Sequence, residues 1–195
     1  YNFSLPPLVL SSIYTGQTEA LSSWAQALKL PSHNVTFLNI LASHDGIGVL
    51  PLTGLLSDRE INQVVQRAER LGGHVSTVPQ PDGTQATYEL NINYFDALRD
   101  PDLIDENIDL ITQRFLVAQT IMLAMQGLPA IYFHSLFGSC GSQSDPAKPA
   151  NPRAVNRQKL DRHLVDRDLA NATSLRHRIF YPYLNLIRAR TYGRL

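Results

Sequence analysis

The stretch Val35-Thr36-Phe37-Leu38-Asn39-Ile40-Leu41-Ala42-Ser43-His44-Asp45-Gly46 decides how this chain is read. Its first seven residues are mostly β-branched, aromatic or aliphatic, and the run has the length of a buried strand. At Ser43 the character changes to short polar residues. In parallel α/β sheets, ligand sites lie outside the carboxyl ends of the strands. His44 and Asp45 therefore stand where chemistry is expected. A carboxylate beside an imidazole can hold ligand hydroxyls and stabilise positive charge developing on a reacting carbon. The same residues also suit a plain turn in which Gly46 relieves the backbone, and spacing alone leaves both readings open.

Working outward, Leu8-Val9-Leu10 is a short apolar run after Pro6-Pro7. Residues 18–28 are helical in propensity, with Leu21, Trp24, Ala25 and Leu28 on one face and Pro31 as the stop. Ser57-Asp58-Arg59-Glu60 has the capping-box pattern and opens a polar helix to about Leu71, closed by Gly72-Gly73. Residues 72–83 are rich in Gly, Pro, Ser, Thr and Gln and are expected to form a surface excursion. Alternation returns from Thr87 to Tyr94. The strongest helical signal runs from Asp105 to Met125, where Ile108, Ile111, Phe115, Ala118, Met122 and Met125 recur at spacings of three and four. After Gly127-Leu128-Pro129, the run Ala130-Ile131-Tyr132-Phe133 reads as a second buried strand. A Gly/Ser/Pro/Lys-rich loop follows from Gly138 to about Pro152. A last helix spans Ser174 to about Arg190, with Pro182 expected to kink or break it.

Strands separated by helices point to βα units and a parallel sheet. A closed (β/α)8 barrel needs roughly 250 residues, and this chain has 195. It is thus either a small open α/β domain or a piece of a barrel.

Composition narrows the partners. Hydrophobic residues make up 44% and charged residues 17%, with 17 basic and 17 acidic side chains, so the formal net charge is zero. A chain of this kind folds as a globular domain and offers no basic stripe for nucleic acid. No apolar run is long enough for a membrane span. The start at Tyr1 carries no secretory leader, which gives a cytoplasmic expectation, and the missing initiator Met implies a start inside a longer protein. Cys140 is the single cysteine and its Gly/Ser setting reads as loop rather than nucleophile. The six histidines are dispersed, so no metal site is expected. No phosphate-binding glycine loop or Gly-x-Ser-x-Gly elbow occurs, so no cofactor is expected. His134 reads as a satisfied core or rim histidine. Tyr88, Glu89, Asn156 and Arg157 read, on residue type alone, as ordinary surface polarity.

Taken together, several segments resemble glycoside hydrolase family 13, the α-amylase superfamily, and within it the sucrose phosphorylases and their relatives acting on glucosylglycerate or glucosylglycerol. They are Tyr1-Asn2-Phe3-Ser4-Leu5-Pro6-Pro7-Leu8; residues 39–48 around Ser43-His44-Asp45-Gly46; Tyr88-Glu89-Leu90-Asn91; residues 127–136 from Gly127 to Leu136; and Val155-Asn156-Arg157. They occur in the family's order over nearly the whole chain.

The resemblance implies an α/β fold: the C-terminal part, about strands six to eight, of a (β/α)8 TIM barrel with an enlarged loop after strand seven. Residues 1–195 would be partial catalytic barrel, with the enlarged loop at about 46–98. Strand six would fall at Asn2–Leu10, strand seven at Phe37–Asp45 and strand eight at Ala130–Ser135. The family's retaining mechanism uses an aspartate nucleophile and a glutamate acid/base on strands four and five. Both would lie upstream of Tyr1, leaving the isolated chain inactive. Asp45 matches the third family carboxylate, the transition-state stabiliser. His44, Arg157, Tyr88, Glu89 and Asn156 match substrate-binding positions. Glu89 stands where sucrose phosphorylases carry glutamine, and with His134-Ser135-Leu136 it leans toward the glucosylglycerate-type relatives.

The implied reaction moves a glucosyl unit from sucrose or a glucosylglycerate-like donor to inorganic phosphate as co-substrate. The implied partners are an α-glucoside and the remainder of the barrel. A family 13 hydrolase or transglucosylase, or a non-catalytic carbohydrate- or partner-binding barrel fragment, are the alternatives. Strands cut from a barrel expose sheet edges, so the free chain is expected to self-associate.

Overall fold

The computed structural model describes residues 1–141 and 151–193. In chain order the elements are α1 (Leu5–Thr15), α2 (Glu19–Ala27), β1 (Leu38–Asn39), β2 (Ile47–Gly48), α3 (Asp58–Arg70), β3 (His74–Pro79), β4 (Gln85–Asn91), α4 (Tyr94–Ala97), α5 (Ile108–Ala124), β5 (Leu128–Pro129), α6 (Phe133–Leu136), α7 (Arg162–Ala170) and α8 (Leu175–Thr191). Short 3-10 turns lie at Leu50–Leu52 and Pro152–Asn156.

The strand read from Val35 to Leu41 is present but short. Leu38 and Asn39 pair in parallel with Leu128 and Pro129. Flanking bonds run from the Leu128 N–H to the Phe37 carbonyl and from the Ala130 N–H to the Asn39 carbonyl, both 2.8 Å. Gly127 makes this approach possible: its φ is +126°, and a Cβ there would lie 2.5 Å from the Phe37 carbonyl oxygen.

Three expectations are corrected. Asn2–Leu10 is not a strand, because Leu5–Thr15 is helical, with Pro at the first-turn positions where no N–H is needed. Every residue from Leu5 to Ser12 is buried, and a fully buried run carries no periodicity to tell helix from strand. Only Asn2 runs beside β1, through its N–H to the Leu38 carbonyl (2.9 Å) and its side-chain amide to Asn39 (2.5 Å). The second strand lies at Leu128–Pro129, two residues before Ala130–Phe133, and Phe133–Leu136 turns into α6. The supposed surface excursion at 72–83 is half of a hairpin. There β3 pairs antiparallel with β4, from His74 against Asn91 to Pro79 against Gln85. Val75 and Val78 supply β propensity that the Gly/Pro-rich flanks obscured. The hairpin turns at Pro81-Asp82-Gly83, where the Asp82 carboxylate accepts from the Thr84 N–H at 2.9 Å. β2 adds on the other side of β4.

The helices follow their signals more closely. Ser57 and Glu60 close the capping box of α3. α5 begins one turn inside the predicted span, with the Asn107 side chain as N-cap. Its C-terminal carbonyls are met by Arg190 of α8, which donates to Leu123, and to Gly127 just beyond, at 2.6 Å for the latter. A guanidinium there complements the negative helix end. α8 runs through Pro182 without a break, because Ile179 and Tyr183 on either side are wholly buried and pin both halves. α7, capped by Asp161, was not anticipated; it buries only Val165. Phe115 of α5 sits edge-on between Phe95 of α4 (centroids 5.4 Å apart) and Tyr183 of α8 (6.4 Å), so one aromatic stack joins the parallel and antiparallel parts. Among the described residues, no helix is long and apolar enough to cross a membrane.

Candidate active site

The loop Ala42–Gly46 leaves β1 and is held from three directions. The Asp45 N–H donates to Ser43 Oγ at 3.1 Å, a local turn. Asn156, buried at the end of a 3-10 turn, donates from Nδ2 to the Asp45 carbonyl (2.9 Å) and the Ile92 carbonyl (3.4 Å). Gly46 lies against β4: a Cβ would sit 2.4 Å from the Leu90 carbonyl oxygen and 2.6 Å from Glu89 Cγ. Its φ is not positive, so glycine is required here by close approach rather than by backbone conformation.

The Asp45 carboxylate meets two guanidiniums. Arg157 Nη2 donates to Oδ1 at 2.9 Å while its Nε donates to the His44 carbonyl at 2.9 Å. Arg153 Nη1 lies 3.3 Å from the same Oδ1 and His44 Nε2 3.6 Å. Among the described residues Oδ2 accepts no hydrogen bond. The Asp45 side chain is 34% exposed. One oxygen is therefore held by cations while the other has no hydrogen-bond partner among the described residues, an arrangement suited to stabilising a cationic transition state.

Glu89 lies on β4 and its side chain is only 6% exposed. Arg153 grips it bidentately, Nε to Oε1 at 3.0 Å and Nη2 to Oε2 at 2.8 Å. The Asn91 amide also donates to Oε1, and Ser76 Oγ donates to Asn91 Oδ1 at 2.6 Å. Tyr88, beside it, is 39% exposed and occupies a bulge: Ser76 faces Glu89 while Thr77 faces Thr87, leaving Tyr88 extra. Tyr88 and Glu89 thus belong to the strand that the alternation from Thr87 announces, and Glu89 is buried rather than ordinary surface polarity.

The structure brings together His44, Asp45, Glu89, Asn156 and Arg157, and adds Arg153, which residue reading missed. A signal for it existed. Asn151-Pro152 is a helix-start pair, and the Asn151 side chain accepts from the Arg153 N–H at 3.0 Å. The turn begun there carries Arg153 and ends at Arg157, and both arginines reach Asp45.

Beneath the site, Tyr132 OH donates to the Asn156 carbonyl at 2.5 Å. Burial pushes this phenol's pKa up, with Arg157 acting against that shift. His134 is buried, with Nδ1 2.9 Å from Ser139 Oγ. Burial holds its pKa below the usual imidazole value. A cavity of about 10 Å3, lined among others by Asn93, Tyr132, His134 and Asn156, lies between them; it has room for about one water. Half-buried Cys140 has its thiol pKa raised by burial and by Asp96, the opposite of an activated nucleophile. Residues 142–150, most of the predicted loop, lie outside the described residues.

The chain is 42% identical to glucosylglycerate phosphorylase of Escherichia coli over 190 residues, covering 97% of this chain and 34% of the relative. It is 43% identical to glucosylglycerate phosphorylase of Allomeiothermus silvanus, covering 98% and 34%. A sucrose phosphorylase of Agrobacterium vitis is 29% identical, covering 85% and 33%. Its homologues are glucosylglycerate and sucrose phosphorylases. This bears out the resemblance to the phosphorylases of glycoside hydrolase family 13.

The chain spans about a third of the length of the phosphorylases it matches. The crystal structure of sucrose 6F-phosphate phosphorylase from Thermoanaerobacter thermosaccharolyticum superposes with a TM-score of 0.77, covering 97% of this chain and 35% of that one at 22% identity, a likeness of fold. A chain that superposes on about a third of that phosphorylase is consistent with a partial barrel. No protein-family model matches the chain.

Proposed function

We propose that this chain forms one wall of the active site of a retaining glucosyl phosphorylase, with β1 as barrel strand seven, β5 as strand eight and residues 46–98 as the enlarged segment after strand seven. The observation that carries the reading is the Asp45 carboxylate, held through Oδ1 by Arg157 and Arg153 just past a strand end, with Oδ2 accepting no hydrogen bond among the described residues. In this reading Asp45 stabilises the transition state. His44, Arg157 and Tyr88 face the glucosyl unit or its acceptor, and Asn156 and Glu89 hold the site in shape. The nucleophilic aspartate and the acid/base glutamate belong to the two thirds of the phosphorylase that this chain does not match. There the aspartate displaces the donor's alcohol, which leaves with the glutamate's proton as the glycosidic bond breaks and a covalent glucosyl ester forms; inorganic phosphate, giving a proton back to the glutamate, then displaces the aspartate to yield glucose 1-phosphate. Higher identity to the glucosylglycerate phosphorylases than to the sucrose phosphorylase favours a glucosylglycerate-type donor.

The test is release of glucose 1-phosphate by the full-length protein that carries this chain, offered phosphate with glucosylglycerate or sucrose. Glucosylglycerate is expected to be the better donor. Release from sucrose alone removes the donor assignment, free glucose alone makes the protein a hydrolase, and no turnover favours a binding module. In the same protein Asp45→Asn is expected to lower turnover by on the order of 10²–10³-fold; near-normal turnover takes Asp45 out of the site.

A further inference from the structure

Arg153 touches both carboxylates of the site, and we propose that, locked in place by Glu89, it is a positioning residue that sets the orientation of Asp45; the proposal rests on the phosphorylase reading. The first ground is occupancy. Both oxygens of Glu89 are bonded to Arg153, and Oε1 also accepts from Asn91, while the side chain is nearly inaccessible. A substrate hydroxyl would have to displace a buried, charge-assisted pair to reach Glu89. Glu89 therefore acts through the arginine.

The second ground is geometry. A guanidinium whose Nε and Nη2 are committed to one carboxylate is a rigid fork. Only Nη1 remains, and it lies 3.3 Å from Asp45 Oδ1. Arg157 approaches the same oxygen at 2.9 Å. Two guanidiniums on Oδ1 define the plane of the carboxylate and leave Oδ2 as the oxygen presented to ligand. The third ground is anchorage. Asn91 and Ser76 continue the network from Glu89 across to β3, so the fork stands on the hairpin and not on the short β1–β5 ladder.

A double-mutant cycle in the full-length protein tests this. Arg153→Met is expected to lower kcat by about 10- to 100-fold with little change in donor KM, the pattern of a misplaced transition-state contact. Glu89→Gln is expected to cost less, and the double variant no more than Arg153→Met alone. Arg153→Lys, which restores charge but not the fork, is expected to recover little. Multiplying costs would put Glu89 on the substrate. A loss confined to KM would put Arg153 there. Either result overturns the proposal.

Hydrogen exchange in the full-length protein gives a readout that needs no turnover. Arg153→Met is expected to speed exchange of the Ser43–Gly46 amides and leave α5 and α8 protected. Unchanged exchange at 43–46 overturns the proposal even if phosphorolysis is observed. Absent phosphorolysis in the parent protein removes the phosphorylase reading while exchange still decides the strut.

Discussion

The two sheets hold the two carboxylates of the site by different means. Asp45 follows a parallel ladder of which only Leu38 and Asn39 are paired, so its position depends on Asn156, on Arg157 and Arg153, and on the close fit of Gly46 under β4. Glu89 sits inside a hairpin paired from His74–Asn91 to Pro79–Gln85, so its backbone is placed before any side chain engages. A strand end with little ladder of its own takes its order from a neighbouring element. The antiparallel sheet is that neighbour here, and the polar contacts between the sheets are what make a site of them.

The aromatic stack beneath the site is the sharpest test of whether the two parts behave as one. Phe115 is 1% exposed and lies between Phe95 and Tyr183. Phe115→Ala removes a buried ring and leaves a cavity, with an expected loss of about 3–5 kcal/mol of stability. Denaturant unfolding of the chain followed by two probes, one in each sheet, measures it. A single transition at lower midpoint keeps the two parts coupled. A loss below about 1 kcal/mol would mean that they stand independently.

Gly46 tests the contact between the sheets at smaller cost. A methyl group at Gly46 collides with β4 backbone, whereas at Gly48, two residues on, the nearest atom is Pro51 Cδ at 3.7 Å. Gly46→Ala is expected to cost about 1–3 kcal/mol by overpacking, and Gly48→Ala to stay within about 0.5 kcal/mol. Thermal melts of the pair compare the two positions directly. Equal effects would show that β4 can move aside, and the dependence of Asp45 on the antiparallel sheet would fall with it.

Legibility in the sequence divided along the same line. The helices α2, α3 and α5 were readable because caps and three-four spacing are local, and the capping box at Ser57 is realised bond by bond. The His44-Asp45 strand end was readable because polarity changes abruptly at Ser43. α1 was misread because its run from Leu5 to Ser12 is buried all round. The local turn signal at Asn151-Pro152 marks where Arg153 stands but not its partner, because Glu89 lies 64 residues away. Gly46 was noticed, but for a backbone reason, while its use is room for β4. Residue patterns record what each element needs locally, and the contact between the two sheets is not a local need.

The smallest expected effect lies on the parallel side. Burial depresses the His134 imidazole below its ordinary value of 6.5, and Arg176 adds to the depression. The unfolded chain therefore takes up its proton at higher pH than the folded chain does. The stability that neutral His134 supports is fully present above the ordinary imidazole value and is lost as the pH falls through it toward the folded value. α6, which carries His134, follows β5 directly, so acidification should loosen this side first. Hydrogen exchange across that range is expected to rise at Tyr132–Ser139 and at the β1–β5 ladder, while the β3–β4 hairpin, which does not pack on His134 through either ladder, keeps its protection. His134→Gln should flatten the dependence. If hairpin and ladder instead loosen together, the proton is acting on the fold as a whole, and the two sheets share their stability more fully than their ladders imply.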